Sequence, residues 1–210
     1  MAIDYSKQAS APPLVRLTKD APQISLTKQR GELRVNLNWS TAAPTGGGLL
    51  RRLGAGKGID LDLGCLYELT DGSKGVVQAL GRSFGQLDAP PYILLNGDDR
   101  SGAVAGGEDL FVNLAHAAQI RRVLVFACIY SGAAGFEQAD GVVVLTPPTG
   151  PPIEVRLDEG GSGSRMCAIA LLEGDGSSLR VQREVKYVKG GQDVLDREYG
   201  WGMDWAPGRK

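Results

Sequence analysis

Histidine and cysteine, two residue types often used for metal binding and nucleophilic catalysis, are scarce in this sequence. The 210 residues include one histidine, His116, and three cysteines, Cys65, Cys128 and Cys167. The cysteines form no Cys-x-x-Cys pair, so the spacing of a zinc site is missing. There is also no Gly-x-Ser-x-Gly nucleophile elbow. An odd number of cysteines set among apolar residues favours buried thiols over a disulfide framework. We therefore predict no zinc site and no enzymatic activity.

The sequence also lacks an excess of charge and a long apolar run. It has 23 basic and 24 acidic residues, which leaves a formal net charge of -1. Such a balance gives no general electrostatic attraction for nucleic acid, so no nucleic-acid partner is expected. No stretch approaches 18 consecutive apolar residues, and Met1–Ser10 lacks the pattern of a signal peptide. These features predict a cytoplasmic protein.

Glycine is abundant, with 30 residues, about twice the average share of roughly 7 %. The chain also has 11 prolines. Both residues weaken the interior of a helix and are common at the turns of β-proteins, so the composition argues against a helical bundle. The hydrophobic share of 42 % supports a packed core and excludes a collagen-like or disordered chain.

Alternating apolar residues and turn signals predict an all-β fold, an antiparallel β-sandwich of about ten short strands. Two short segments, Ala115–Gln119 and Gln192–Tyr199, are predicted to be helical. The apolar segment Arg122–Tyr130 is predicted to be a central strand. The other predicted strands are Glu32–Trp39, Ile59–Leu69, Lys74–Leu80, Tyr92–Leu95, Asp109–Leu114, Val142–Leu145, Ile153–Leu157, Met166–Glu173 and Leu179–Tyr187.

The pattern divides the chain into one domain with flanking segments. Residues 1–13 are expected to be a flexible N-terminal segment, and residues 14–200 a single domain in which 40–58 form an insertion loop. Residues 201–210 form a tail that contains Trp201 and Trp205. If the tail is extended, Trp201, Met203 and Trp205 share one side. Two interpretations remain: the three side chains close one end of the sandwich, or they dock on a partner protein.

Acidic residues occur in two groups that suit a hard cation. Asp60 and Asp62 alternate with Leu61 and Leu63, so on a strand the two carboxylates share one face. Asp98 and Asp99 lie in a glycine-flanked loop, and Glu108 precedes the next strand. Calcium takes six to eight oxygen ligands from carboxylates, carbonyls and water, and these five residues are candidate donors. The alternative is that Asp60 and Asp62 face solvent and that residues 96–102 form an ordinary turn.

The glycine-rich segment Gly54–Gly58 superficially suggests a phosphate-binding loop. It lacks the first glycine, because Arg51 stands there, and Gly58 replaces the Ser or Thr that would hold magnesium. A basic loop is the favoured interpretation. Its Arg51, Arg52 and Lys57 are candidates for contact with an acidic partner or with lipid headgroups at a membrane surface.

Several of these segments together resemble the tellurium-resistance TerD family. The resemblance rests on the run Gly58–Tyr67, the run Gly97–Gly102 and Glu108, and it spans residues 14–200. Within the family the chain is most similar to the TerA-type branch, through Gly64–Leu69 and Tyr199–Trp205. The resemblance implies a β-sandwich in bacterial stress proteins whose acidic loops bind calcium. Matched by position, the implied calcium ligands are Asp60, Asp62, Asp98, Asp99 and Glu108.

Two departures from the family pattern lower the expected number of ions. Gly58 stands where many members carry a further aspartate, and Ala103–Gly107 replaces an acidic loop. Fewer carboxylates weaken calcium binding, so one ion or none is expected rather than two. The expected function is that of a non-enzymatic calcium-binding scaffold or sensor in a tellurite and stress response, with other stress-response proteins as partners. The alternative is a metal-independent interaction module that binds through Leu49–Gly58 and Trp201–Trp205. The sequence leaves the oligomeric state open.

Overall fold

The computed structural model describes residues 13–27, 29–40, 59–97, 106–157, 160–161 and 163–206. Across these ranges the chain forms thirteen strands in two sheets. Their bounds are β1 Val15–Arg16, β2 Gln23–Leu26, β3 Glu32–Asn38, β4 Asp60–Leu69, β5 Lys74–Gln78, β6 Gly85–Gln86, β7 Ile93–Asn96, β8 Glu108–Asn113, β9 Ile120–Ser131, β10 Val142–Thr146, β11 Ile153–Arg156, β12 Met166–Gly174 and β13 Leu179–Val188.

Each sheet brings together strands from distant parts of the sequence. The first sheet has the order β1-β11-β10-β3-β8-β7-β6, and the second has the order β2-β13-β12-β9-β4-β5. The described strand neighbours are antiparallel, except that β1 pairs with β11 in parallel. The predicted all-β sandwich is confirmed, and β9 lies inside the second sheet as predicted.

The two sheets face each other across one apolar core. Alternate residues of β3 and β8 from the first sheet pack with alternate residues of β4 and β9 from the second. This is what a period of two dictates when one face of each sheet is buried. The side chains that these four strands contribute to this core are Leu33, Val35, Leu37, Leu110, Val112, Leu61, Leu63, Cys65, Leu69, Ile120, Val123, Val125, Ala127 and Ile129.

Both predicted helical segments are helical. Leu114–Gln119 forms a 3-10 turn, and Gln192–Tyr199 forms the α-helix α1. Two further 3-10 turns cover Leu80–Arg82 and Phe136–Gln138. Helix α1 is capped at its C-terminus by Gly200, whose φ of 63° places it in the left-handed region that glycine adopts without strain.

The outer face of the second sheet is covered rather than exposed. A second apolar cluster there includes Leu66 of β4, Phe126 of β9 and Met166 of β12, which pack against Leu195 and Trp201. The cover is the C-terminal segment, defined here as residues 192–206, which comprises α1 and the extended residues after it. The second sheet is therefore buried on both faces where this segment lies.

Three parts of the predicted organisation lie wholly or partly outside the described residues. These are residues 1–12 of the N-terminal segment, 41–58 of the insertion loop and 207–210 of the tail. The division at residues 14 and 200 stays a prediction.

Candidate functional site

Asp60 and Asp62 lie at the start of β4 and are buried. Their exposed fractions are 4 % and 9 %. They alternate with Leu61 and Leu63, which belong to the core between the sheets, so both carboxylates belong to the outer face of the second sheet. The interpretation in which the two aspartates face solvent is therefore wrong. Burial of a carboxylate is costly unless hydrogen bonds or a cation compensate for the lost water.

Glu108 begins β8 in the opposite sheet and is 2 % exposed. Its Oε2 accepts a hydrogen bond of 2.6 Å from the backbone N–H of Leu63. A carboxylate of the first sheet is thus hydrogen-bonded to the backbone of the second sheet, at the residue that follows Asp62. A carboxylate that accepts a backbone N–H bond in a dry interior makes a strong, charge-assisted contact.

The turn that leads into Glu108 requires a glycine at position 107. Its φ is +68°, and a Cβ at this position would lie 1.9 Å from the carbonyl oxygen of Leu37. No L side chain fits there without moving the strand. The nearby Asn36 helps to hold this turn, because its Nδ2 donates to the carbonyl oxygen of Gly106 at 2.5 Å and to Oδ1 of Asp109 at 2.9 Å.

The structure thus brings Glu108 to the same stretch of β4 as Asp60 and Asp62, but it reaches that stretch from the core side. Over the described ranges, no three His, Cys, Asp or Glu side chains are grouped closely enough to hold a metal ion. Asp98 and Asp99 lie outside the described residues. The five-residue calcium set therefore stays a prediction.

A small cavity beside Asp62 includes residues that sequence reasoning missed. It has a volume of about 100 Å³ and a mostly apolar wall. Its lining residues are Leu63, Ala79, Leu80 and Phe126, together with Asp62, Gln78, Cys128, Tyr130 and Gln192. Cys128 is the direct cross-strand partner of Asp62. Gln192 donates from Nε2 to Oε1 of Gln78 at 2.7 Å across 114 positions of sequence. No local motif could have linked these two glutamines, because only the packing of α1 on the sheet joins them.

The three thiols differ in their access to water. Cys65 and Cys167 are fully buried in the core, and burial raises the pKa of both thiols far above the usual range. Cys128 is half-buried. His116 is stacked on the ring of Tyr92, with 4.1 Å between ring centroids and 8° between ring planes. These environments suit packing more than nucleophilic chemistry.

The C-terminal segment is fastened to the outer face of the second sheet by an extensive set of contacts. Trp201 is fully buried, and its Nε1 donates to the carbonyl oxygen of Tyr67 at 3.0 Å. The guanidinium of Arg122 lies 3.8 Å from the Trp201 ring. Met203 and Trp205 are partly buried in the same cluster. The side chains do share one side, but they cover a sheet face, so the interpretation in which they close one end of the sandwich is wrong.

Asp196 of α1 holds the extended part of this segment. Its carboxylate accepts hydrogen bonds from the backbone N–H of Gly202 and Met203, each at 2.9 Å, and from Nε1 of Trp205 at 3.1 Å. Asp196 is 4 % exposed. Three donors around one buried carboxylate fix the path of the chain after α1.

Comparison with known proteins supports the resemblance found in the sequence. No family model matches the chain. A curated protein, tellurium resistance protein TerA from Alcaligenes sp., is 47 % identical over 198 residues, which is 93 % of this chain. The chain is thus a homologue of tellurium-resistance proteins of the TerD type. The predicted family is confirmed. The chain spans 58 % of the length of the TerA protein that it matches.

Two solved structures share the TerD-type fold of this chain. A crystal structure of a protein of unknown function has a TM-score of 0.59 at 17 % identity and covers 82 % of this chain and 98 % of its own. A homologue of the telluride resistance protein TerD from Streptomyces coelicolor has a TM-score of 0.54 at 18 % identity, with 81 % and 98 % covered. At these identities the likeness concerns the fold alone.

In the part of the chain that the structure describes, none of the helices has the length and apolar character needed to cross a membrane.

Proposed function

We propose that this chain is a non-enzymatic calcium-binding β-sandwich that acts as a scaffold or sensor in a cytoplasmic response to tellurite and related stress. Its homology to a protein named for tellurium resistance supports the biological setting. The proposed partners are other proteins of the same stress response.

The observation that carries the calcium proposal is the burial of the acidic residues at the start of β4. Asp60 and Asp62 are almost fully removed from water, and Glu108 reaches the same strand from the other sheet. Carboxylate oxygens are the ligands that calcium prefers, so the donor chemistry fits the ion. Calcium needs six to eight oxygens, more than Asp60 and Asp62 alone supply, and Asp98 and Asp99 are the proposed further donors.

A bound cation would act here through charge and rigidity rather than through catalysis. It would neutralise carboxylates that repel each other and stiffen the segments that carry them. A surface formed by those segments would then bind a partner better with the ion than without it, and the partner would in turn tighten the ion. The proposal assigns no catalytic residue. Burial keeps the pKa of Cys65 and Cys167 high and so disfavours the reactive thiolate at these two positions.

The test is a calorimetric calcium titration of the chelator-treated chain and of three variants. Asp60→Asn and Asp98→Asn should each weaken or abolish the heat of binding. Asp71→Asn is the matched control, because Asp71 lies in the exposed turn after β4 and bonds only locally to Ser73. Calcium at about 100 times its Kd should stabilise the wild-type chain by about 2.7 kcal/mol.

Absence of both heat and thermal stabilisation in the wild-type chain would exclude the calcium proposal. Equal recovery of a stress-response partner in calcium and in chelator would instead support the metal-independent interaction module. A chain truncated after Tyr199 is unsuitable for that comparison, because the truncation removes the buried Trp201 and would disturb the fold.

A further inference from the structure

Asn96 is the last residue of β7, and Gly97 follows it as the chain leaves the first sheet. The sequence contains four asparagines, and Asn96 alone precedes a glycine. Asparagine is a thermolabile residue, because its side-chain amide can react with the backbone nitrogen of the next residue. Glycine hinders that approach least, because it has no Cβ. The Asn-Gly pair is therefore the place in this chain where such a reaction is easiest.

We propose that Asn96-Gly97 is a site of spontaneous deamidation, which turns the Asn96 amide into a carboxylate on the outer face of the first sheet. The backbone nitrogen of Gly97 attacks Cγ of Asn96, the bond from Cγ to Nδ2 breaks, and ammonia leaves with the proton that the backbone nitrogen gives up. Water then opens the succinimide ring to aspartate or isoaspartate. The net reaction consumes one water and releases one ammonia, with no oxidation or reduction. The inference goes beyond the proposed function, which involves no covalent change.

The attacking nitrogen lies outside the hydrogen-bond ladder of the sheet. The N–H of Leu95 donates to the carbonyl oxygen of Phe84 at 2.8 Å, on the side of β7 that faces away from β8. Successive N–H groups of a strand point to opposite sides, so the N–H of Gly97 points to the same side as that of Leu95. Strand β6, on that side, pairs with earlier residues of β7. Among the described residues, no carbonyl oxygen accepts a hydrogen bond from the Gly97 N–H.

The surroundings of the pair are open to water. Asn96 and Gly97 are both exposed. The φ of Gly97 is +92°, and apart from its chain neighbours no described residue comes within 4 Å of the position that a Cβ would take there. A succinimide ring and the water that opens it thus meet no steric barrier at this point. The Nδ2 groups of Asn36 and Asn113, by contrast, donate to backbone carbonyl oxygens, which holds these two amides in place.

The new carboxylate faces an acidic neighbour on β8. Asn96 and Asp109 are direct cross-strand partners, and both belong to the outer face because Leu95 and Leu110 belong to the core. The Cβ atoms of such partners lie about 4.5–5.5 Å apart. Asp109 is already paired with Arg34 at 2.8 Å. A second carboxylate opposite Asp109 adds like-charge repulsion, so deamidation is an irreversible change that weakens the pairing of β7 with β8.

Peptide mapping by mass spectrometry on the folded wild-type chain tests the site. Samples are kept at neutral and at alkaline pH, in chelator, and the mass gain of amide-to-acid conversion is followed over time at all four asparagines. We expect Asn96 to convert first, and faster at alkaline pH, where the backbone nitrogen loses its proton more readily. Asn38 is the matched reference, because it is also exposed but precedes Trp39. Asn96→Gln should remove the conversion, because its longer side chain cannot close the five-membered ring.

The comparison between Asn96 and Asn38 decides the outcome. If the folded chain converts Asn96 no faster than Asn38, the inference is overturned, and this includes the case in which Asn96 reacts quickly only in urea. Asp-Gly pairs elsewhere in the chain do not interfere, because isomerisation of an aspartate changes neither its mass nor its charge. Chelator keeps calcium out of the measurement, so the result is independent of the proposed function.

Asn96→Asp tests the effect of the new charge directly. It should lower the urea concentration at the midpoint of unfolding, and the shift should shrink at high salt, which screens the repulsion from Asp109. In a double-mutant cycle with Asp109→Asn, most of the shift should disappear. Asn96→Gln keeps the amide and should leave the midpoint near that of wild type. An equal shift in Asn96→Gln, or a shift that neither salt nor Asp109→Asn reduces, would overturn the weakening of the strand pair.

Discussion

Glu68 is the buried residue through which β4 and the C-terminal segment are joined electrostatically. It is 3 % exposed, and its two oxygens accept hydrogen bonds from Arg121 at 2.8 Å and Arg122 at 2.7 Å. Arg122 also donates to the carbonyl oxygens of Tyr199 and Gly200. Burial by itself raises the pKa of Glu68, but the hydrogen bond and charge of Arg122, with the charges of Lys74 and Arg121, outweigh it and lower the pKa.

Glu68→Gln tests this link. The substitution removes the charge that compensates Arg122 and should lower the free energy of unfolding at pH 7 by about 1–3 kcal/mol. Because the pKa of Glu68 is lowered in the folded state, its contribution is present above the ordinary glutamate pKa of about 4.3 and is lost as the pH falls through the folded value. Urea unfolding of both proteins between pH 3 and pH 7, roughly the window of glutamate titration, measures the difference.

The control for Glu68→Gln is Glu173→Gln. Glu173 pairs with Arg180, but both side chains are well exposed, so the loss should be between about 0 and 1 kcal/mol. The role given to Glu68 would be contradicted if the two variants lost equal amounts of unfolding free energy. It would also be contradicted if the difference between Glu68→Gln and wild type stayed the same at acid pH.

The residues of the candidate site show where sequence reasoning succeeds and where it stops. Alternation with Leu61 and Leu63 was enough to place Asp60 and Asp62 on one face of a strand. It could not show that this face is covered, because α1 and the residues after it follow about 130 positions later. For the same reason Gln78 and Gln192 carried no signal.

Strands were predictable wherever several residues alternate or form one continuous apolar run. All ten predicted strands are present, and their ends differ by at most two residues. The strands β1, β2 and β6 were not predicted as strands. They have two to four residues each, too few for alternation to be recognised, and they exist because a longer neighbour offers hydrogen bonds at its edge.

At the scale of an element, the C-terminal segment behaves as part of the core. Trp201 contributes much of the packing between this segment and the sheet, since it lies in the cluster formed by Leu66, Phe126 and Met166. Trp201→Ala should lower the free energy of unfolding by about 3–5 kcal/mol, the range for removal of a large buried aromatic side chain. Urea unfolding followed by far-ultraviolet circular dichroism measures this without relying on tryptophan fluorescence.

Two further substitutions separate packing from hydrogen bonding in this segment. Trp201→Phe keeps most of the ring and loses the bond to the carbonyl oxygen of Tyr67, so a loss of about 1 kcal/mol from that bond is expected. Trp205 is only partly buried, and Trp205→Ala should cost clearly less than Trp201→Ala. If the two alanine variants were equally stable, the segment would be an attached tail rather than part of the core.

At the scale of the whole molecule, the described residues form one sandwich whose two sheets are joined by more than apolar packing. The bond from Leu63 N–H to Glu108 Oε2 crosses from the second sheet to the first inside the core. Glu108 therefore has two candidate roles, a brace between the sheets and a ligand for the proposed ion. The sequence suggested only the second, because the brace depends on how the two sheets face each other.

Two substitutions at Glu108 distinguish these roles. Glu108→Gln keeps an oxygen that can accept from Leu63 and removes the negative charge, whereas Glu108→Ala leaves a buried N–H without this acceptor, which costs about 1–3 kcal/mol in addition to lost packing. If Glu108 is a brace, the free energy of unfolding measured in chelator should fall much further for alanine than for glutamine. If it is also a ligand, calcium should stabilise Glu108→Gln less than the wild-type chain. If calcium stabilised Glu108→Gln and the wild-type chain equally, Glu108 would act as a brace alone. The ligands of the ion would then be Asp60, Asp62 and donors outside the core.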